Sequence, residues 1–464
     1  MYYLREKINS RMKIFLTLLL VLGLASVFAQ GDSAMIRSIY NEALSEGHAY
    51  EDLRSLCKDV GARLTGSAEA EMAIHWGEQK MKGYNFDKVY LQEIQVPHWE
   101  RGNKEAGWIK QKNQDLTKVH LLALGGSIGT NGTLEAEIIE FKTLDELKAA
   151  DRSKVEGKIV FINQPMNEQH IQTFRAYGGC YPVRGDGAVE AAKLGAVGVI
   201  IRSLGLPVNE HPHTGGMHYA DSVDSIPAAA ISTLDAEILS TILKTEKANF
   251  ILELDCRQFP DITSYNVIGE MTGSVKPDEI ITFGGHLDSW DTGEGAHDDG
   301  AGVVHCLEAM RILKELNYKP KHTLRLVFFM NEENGNRGGE SYATIVKELG
   351  EKQIAALESD RGGFAPRGFT CSGNEDQVNL LKSFEPNFTS YDLHIFDAGG
   401  SGVDIGPLRK TYPDIALFGF VPDSQRYFDF HHAPSDVFEN VNKRELELGA
   451  AAIGSFLYLI DRAL

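Results

Sequence analysis

Three short apolar runs of this chain each end in a burst of acid and imidazole. "EIITFGG" runs into "HLDSWDTGEGAHDDGAG" (His286 to Gly302), "TLRLVFFM" into "NEENGNRGG", and "IAAL" into "ESDRGG". Runs of this length read as buried strands. Between the first two, Val303, Cys306, Leu307, Met310 and Leu313 recur at helical spacing, so strand, helix and strand follow one another. A βαβ unit of this kind has parallel strands joined by a right-handed crossover. The acids then leave the sheet at the carboxyl ends of its strands, where open α/β sheets carry their sites.

That density of charge is expensive unless something positive sits among it. The candidate ligands are His286, Asp298, Glu333, Asp360 and His432. Carboxylate oxygen and imidazole nitrogen suit hard or borderline cations, and two cations roughly 3.5–4 Å apart can share one carboxylate. Asp288, two residues beyond His286, is placed to orient that ring through its free N–H. Glu332 precedes Glu333; adjacent carboxylates at a strand end point differently, which leaves one free as a base. Taken singly these are weak signals: His-x-Asp is commonly a surface pair, Glu-Glu a helix start, and "HHAPSD" a turn. Together they end successive sheet elements and lie among glycines that allow close backbone approach, and that joint pattern favours metal.

With 464 residues, two domains are expected. The stretch "SAEAEMAIHWGEQKMKGYN" reads as an amphipathic surface helix with Met72, Trp76 and Met81 as its apolar residues and Gly83 closing it. "DKVYLQEIQVPHW" then alternates as a strand. From 125 to 257 the texture changes. Here "GKIVFINQP" is a strand, "GAVEAAKLGAVGVIIRS" a helix ending near Gly195 and then a strand, "SIPAAAIST" a strand, and "LDAEILSTILKTEK" a helix. Lacking clustered acid, this segment reads as a separate, non-catalytic α/β insert between catalytic parts at 30–124 and 258–464. Its loop "NEHPHTGGMHYAD" (Asn209 to Asp221) holds three histidines, which suit either a third metal or a lid reaching the substrate; the Pro and Gly content favours the lid, with His213 its candidate contact.

The first 29 residues have a basic region, an apolar stretch from Ile14 to Leu24 and a small-x-small site at Val27-Phe28-Ala29, the pattern of a cleaved signal peptide. Export to a periplasm or the extracellular space is the expectation, with no membrane attachment after cleavage. A net charge of −19 argues against nucleic acid or an anionic membrane as partner. Five scattered cysteines do not form a disulfide framework, although one pair could bridge.

The motifs "GGHLDSWDTGEGAHDDGAG", "FFMNEENGNRGGESY", "ESD", "GSGVDIGPL" and "YFDFHHAPSD", in that order and with "RLTGS" near the start, resemble the co-catalytic dizinc exopeptidases, most closely the carboxypeptidase Q branch. The resemblance implies an α/β fold with a mixed central sheet and helices on both faces, interrupted by a smaller protease-associated α/β domain. It implies two Zn2+ per chain: His286 and Asp360 on one, Glu333 and His432 on the other, Asp298 bridging, and a cis peptide at Asp298-Asp299. Glu332 would be the general base for a metal-bridging hydroxide. Ser401, Asp404 and Tyr427 are candidate substrate contacts, short peptides the substrate, and a homodimer the assembly. Two departures from many relatives stand out: Val437 follows Asp436 where threonine is common, and His431 occupies a position that carries a carbonyl-polarising tyrosine in some aminopeptidases. The competing readings are an aminopeptidase on longer peptides, a catalytically dead binding module and a one-metal acyltransferase. Retention of every ligand and the base argues against the last two.

Overall fold

Strand His322–Phe329 is buried at every position, which only a strand covered on both faces tolerates. It lies inside the first of two sheets in the structure, a computed structural model that describes residues 31–464. The signal segment expected at 1–29 falls outside the described residues. Edge to edge, the first sheet runs Lys88–Glu100, Arg257–Met271, His322–Phe329, Lys276–His286, Lys352–Glu358, Ala416–Pro422, Pro366–Ser372 and Ile395–Ala398. The four strands from His322–Phe329 to Ala416–Pro422 are mutually parallel, and their flanking neighbours are antiparallel. The sheet is therefore mixed.

The crossover helix is Ala301–Glu315, and its expected apolar positions Val303, Cys306, Leu307, Met310 and Leu313 are all buried. Its opposite face is buried too, because helices Ala49–Ser55 and Lys443–Ala463 pack over it. Glu308 and Arg311 satisfy each other there at 2.6 Å, and Glu42 of helix 31–46 adds a contact at 3.2 Å. Helix Ala68–Gly83 departs from its sequence reading: Trp76 and Met81 are buried, but Met72 is 47% exposed. The inward stripe is set by Ala70, Ala73, Ile74, Gly77 and Met81, and Met72 falls beside it. Gly83 is the last helical residue, and the left-handed turn that closes the chain is made by Asn85.

The second sheet runs Thr117–Val119, Glu105–Lys110, Asn249–Leu254, Leu134–Phe141, Ile159–Ile162, Gly198–Arg202, Ala228–Ile231 and Leu121–Ala123. Its strands therefore begin at Glu105, ahead of the expected boundary at 125, because the short strands 105–123 pair onto Asn249–Leu254 and Ala228–Ile231. A 21-residue helix, Thr173–Lys193, covers it. Only the end of that helix was legible in the sequence, since Gly178, Gly179 and Pro182 interrupt the pattern. One apolar cluster joins the two sheets: Cys180, Val183 and Leu204 of the insert pack with Phe364, Tyr427, Phe428 and Phe430 of the catalytic part. All five cysteines are buried and free.

Candidate metal centre

Each expected ligand stands at or just beyond the carboxyl end of a strand of the first sheet, or on a turn facing it. His286 is the last residue of Lys276–His286, Glu333 follows His322–Phe329, and Asp360 follows Lys352–Glu358. His432 follows Ala416–Pro422 by way of the short helical turn Tyr427–Asp429. Asp298 sits in the turn Ala296–Gly300 that leads into the crossover helix, and the peptide bond to Asp299 is cis. The glycine at 285 is required: a Cβ there would run into the carboxylate of Asp299.

The five side chains converge. Oδ1 of Asp298 is 3.3 Å from His286 Nε2, which is 3.6 Å from Asp360 Oδ1. Oδ2 of Asp298 is 3.2 Å from His432 Nε2, which is 3.0 Å from Glu333 Oε2. One carboxylate thus offers an oxygen to each of two ligand sets, as a bridging ligand would. His286 Nε2, Asp298 Oδ2, Glu333 Oε1 and Asp360 Oδ1 are buried and make no hydrogen bond. Buried polar atoms that approach without bonding cost free energy unless a cation lies between them. The donor set, three carboxylates and two imidazoles, fits zinc. Ligand atoms of His286, Asp298 and Glu333 lie within 4.8 Å of one another, as do those of Asp298, His431 and His432. Asp299 lies within the same reach of His286 and Asp360, but its carboxylate is already engaged, accepting the N–H of His286 and of Gly302 at 3.1 Å each. We read it as a brace.

Protonation reflects the crowding. Burial pushes Glu333 up to about 7, with Asp298 adding to it. Burial, Asp360 and Glu333 likewise hold Glu332 well above the usual carboxylate range. Burial pushes the His432 ring down, yet Glu333 and Asp298 carry it up to about 9. Bound cations invert this logic, since they favour the anionic carboxylate and the neutral ring.

Backbone bracing explains further acids. The Asp288 carboxylate does not meet the His286 ring as expected: its nearer oxygen is 3.9 Å from Nδ1, which is 3.0 Å from the Asp288 backbone carbonyl instead. A residue only two positions along an extended chain presents its carbonyl to the ring and its side chain to the neighbouring strand. There Asp288 accepts the N–H of Asn331, Glu332 and Glu333 at 2.8, 3.1 and 3.3 Å and the hydroxyl of Thr65 at 2.9 Å. It aims the Glu332-Glu333 pair. Asp436 accepts the N–H of His297 at 2.7 Å and of Asp298 at 3.1 Å, fixing the bridging turn without help from position 437. Arg63 of "RLTGS" is fully buried and donates to the carbonyls of Glu294 and Gly295 at 2.6 and 2.9 Å.

The ligands open onto a cleft of about 750 Å3. Glu332, Tyr427 and His431 line it beside them. His431 stacks on His432 with ring centroids 3.6 Å apart, its Nε2 is 3.6 Å from Asp298 Oδ2, and its Nδ1 has no partner. Burial and the neighbouring His432 hold its ring well below the usual histidine range. Ser401, Asp404 and His213 do not line the cleft. Asp404 is fully buried behind Glu358, whose carboxylate accepts the N–H groups of Val403 and Ile405 on either side of it. His213 is only 2% exposed, with Nδ1 2.7 Å from the backbone oxygen of His431. It props the histidine pair from behind, whereas Gly216, Met217, His218 and Tyr219 of the same loop reach the cleft. The three histidines of that loop form no metal-binding group among the described residues.

The insert is therefore part of the site, contrary to its reading as a separate non-catalytic unit. His432 has a left-handed backbone, φ 60°, which a non-glycine residue adopts at a cost. Thr214 of the insert holds it, donating N–H to the His432 carbonyl at 2.9 Å and lying with its own carbonyl 3.2 Å from the ring Nδ1. Tyr177, Tyr181 and Arg184 of helix Thr173–Lys193 form the opposite wall. Sequence reasoning missed all three; the only signal was an aromatic pair and an arginine in a glycine-broken stretch.

Comparison with known proteins agrees with this geometry. Residues 266–457 match the model of Peptidase family M28. Carboxypeptidase Q of Mus musculus is 34% identical over 418 residues, covering 89% of this chain and 86% of that protein. A peptidase M28 precursor from Shewanella amazonensis superposes with a TM-score of 0.88 at 33% identity, covering 93% of this chain and 97% of that one. A zinc aminopeptidase from Bacillus subtilis, 21% identical, shares the fold with a TM-score of 0.63 over 89% of this chain and 94% of its own.

Proposed function

The chain belongs to peptidase family M28, co-catalytic zinc exopeptidases, and from that premise we propose that this metallo-exopeptidase is an exported, two-zinc dipeptidase. The observation that carries the reading is the Asp298 carboxylate, whose two oxygens face two separate ligand sets beside an unligated Glu332. His286 and Asp360 would hold one zinc, Glu333 and His432 the other, with Asp298 common to both. Bound zinc supplies polarisation of the scissile carbonyl and acidification of water.

The chain's own residues supply the rest. Glu332 takes the proton from the attacking water as its oxygen bonds to the carbonyl carbon, and delivers that proton to the nitrogen as the C–N bond breaks. Asp288 keeps Glu332 aimed through the backbone bonds described above. Burial and the charges of Asp298 and Asp360 hold the Tyr427 phenol far above its usual range, so it serves only as a donor. The neutral His431 ring is the second donor to the developing oxyanion. Glu332 and Asp360 present negative charge to the substrate ammonium. A cleft of about 750 Å3, walled by the insert, suits a ligand of dipeptide size.

The segment 125–257 is assigned as the protease-associated insert, extended by strands 105–123, and a homodimer as the assembly; sedimentation of the mature protein tests the latter. The central test is a panel of dipeptides, N-acetylated dipeptides, tripeptides and doubly blocked peptides, with zinc stoichiometry on the same sample. Unblocked dipeptides are expected to be cleaved best, and chelation to abolish activity with zinc restoring it. Efficient cleavage inside a doubly blocked peptide overturns the reading. An aminopeptidase acting on longer chains is the second reading, and equal cleavage of dipeptides and longer peptides would select it.

A further inference from the structure

Two Asn-Gly steps occur in the chain, at Asn131 and at Asn334. The second directly follows the candidate ligand Glu333, and Asn334, Gly335 and Asn336 all line the cleft. It lies in the turn between strand His322–Phe329 and helix Arg337–Glu348 and belongs to neither element. Gly335 is exposed, and its N–H meets no acceptor among the described residues. The Asn334 side chain is held at one end only: its Oδ1 accepts the Nδ2–H of Asn331 at 2.5 Å, while its own Nδ2 has no partner. Asn331 is itself fixed, since its Oδ1 accepts the N–H of Arg337 at 3.2 Å and its backbone N–H donates to Asp288 at 2.8 Å.

These contacts are the ones that ring closure at an asparagine requires. The next backbone nitrogen can reach the side-chain carbonyl most freely where its own residue has no Cβ, and Gly335 has none. Attacking and attacked atoms are neighbours in one chain, so the step carries no cost of association. The Asn331 N–H polarises the Asn334 carbonyl and faces the oxyanion that forms as the nitrogen adds, as a preorganised donor does. Nothing holds the amide nitrogen that must leave. Asn131 is exposed and makes no side-chain hydrogen bond among the described residues, so it lacks the polarising contact.

We propose that Asn334 is a modification site at which the chain deamidates itself beside the metal centre. The Gly335 nitrogen bonds to Cγ of Asn334, the Cγ–Nδ2 bond breaks, and ammonia leaves with the proton that the Gly335 nitrogen gives up. The product is a succinimide ring. Water from the cleft then adds to either ring carbonyl and returns a proton to the nitrogen as the ring C–N bond opens. Attack at Cγ leaves aspartate, and attack at the main-chain carbonyl leaves isoaspartate; one water is consumed and one ammonia released. Isoaspartate routes the main chain through Cγ and adds a methylene between Glu333 and Asn336. Asp288 holds the N–H groups of Glu332 and Glu333, so the turn beyond them shifts, by about 1.5 Å for one C–C bond. A misplacement of that size costs about 10- to 100-fold in kcat/KM. Aspartate instead adds negative charge to a wall that already holds Glu332, Glu333 and Asp360. The chemistry goes beyond the dipeptidase reading and does not depend on it.

The experiment ages the zinc-loaded wild-type protein in mildly alkaline buffer made with heavy-oxygen water. Peptide mass spectrometry follows Asn334 and Asn131, and enzymatic methylation counts isoaspartate. Conversion is read without substrate, so failure here and failure of the dipeptidase reading are told apart. Asn334 is expected to convert at least as fast as Asn131, to take up heavy oxygen and to yield isoaspartate. On the best substrate of the peptide panel, kcat/KM should fall in step with the fraction converted at Asn334. Asn334→Gln, whose longer side chain would have to close a larger ring, should hold its starting kcat/KM over the same period. N331D keeps the acceptor for the Arg337 N–H and removes the polarising donor; it should slow conversion at Asn334 by about 10-fold, the scale of one hydrogen bond, and leave Asn131 unchanged. If N331D does not fold, the comparison of the two asparagines in wild type decides. Asn334 intact while Asn131 converts overturns the proposal, as does conversion at Asn334 with kcat/KM unchanged.

Discussion

Replacing Asp288 by asparagine separates two roles that the sequence alone merged. The substitution keeps shape and the backbone carbonyl that receives the His286 ring N–H, so the His286 orientation should survive. It removes the charge that gathers three strand-end N–H groups and the Thr65 hydroxyl. An asparagine retains one oxygen, which can serve Asn331 and Glu332, and its NH2 can donate to Thr65 Oγ. The N–H of Glu333 is then left facing a donor. Hydrogen bonds to a charged acceptor contribute about 1.5–3 kcal/mol each, so the lost bond and the weakened remainder should cost about 2–4 kcal/mol of stability. Misaiming the Glu332-Glu333 pair should lower kcat/KM and zinc affinity by about 10- to 100-fold. The assay is a denaturant titration with zinc at fixed concentration, together with anomalous diffraction at the zinc edge. Occupancy should fall first at the position held by Glu333 and His432. If the His286 and Asp360 position empties first, the carboxylate orients the ring after all and the reasoning fails.

Glu332→Gln should lower kcat by about 10^2- to 10^4-fold while both zinc ions stay bound, measured by turnover and metal analysis of one preparation. Asp298→Ala removes the only carboxylate shared by both ligand sets, and equilibrium dialysis should show loss of zinc from both; two retained ions would refute the ligand map. Gly215→Ala places a Cβ at φ +133° against Arg184 and His432, so a thermal melt should fall by the equivalent of about 1–3 kcal/mol and kcat/KM should fall with it. Burial lowers His305 to about 3, below its unfolded value near 6.5, so it is neutral in the fold and stability is full above 6.5. As pH falls from 6.5 towards 3 the unfolded chain takes up a proton that the folded chain refuses. Between pH 7 and 5 this removes about 2 kcal/mol, and a His305→Asn variant should show a correspondingly flatter acid limb in denaturant titrations.

What could be read from the sequence was whatever repeats with the period of an element or ends one. The crossover helix was legible because apolar residues recur at helical spacing, and the convergence of the candidate ligands because acids cluster where buried strands stop. The two-sided burial of that helix was not, since Glu308 and Arg311 look like a solvated face until Glu42 and the Lys443–Ala463 helix are brought over them. Met72 misled for the complementary reason: apolar residues at the margin of a stripe are free to be exposed. Asp288 lies near His286 but presents its backbone carbonyl to the ring, because sequence spacing fixes which residue is near and not which of its atoms faces the ring. His213 illustrates the limit for loops. Proline and glycine announced irregular backbone, yet His213 packs behind His431 while Gly216, Met217, His218 and Tyr219 of the same loop line the cleft.

The insert is where local reading fails most, and the reason is physical. His432 takes a left-handed backbone that nothing in "DFHHAPSD" would stabilise by itself, and Thr214, 218 positions away in sequence, satisfies both its carbonyl and its ring. Gly215 then yields the space in which Arg184 can stand beside the same ring. One loop of the insert thus fixes a ligand of the catalytic part, and the adjacent helix presents the cation that the acid-rich cleft otherwise lacks. With the insert in place, Tyr177, Tyr181 and Arg184 line the same cleft as Glu332, Glu333 and Asp360. The cleft is then a property of how the two units meet, and neither unit's sequence encodes it separately.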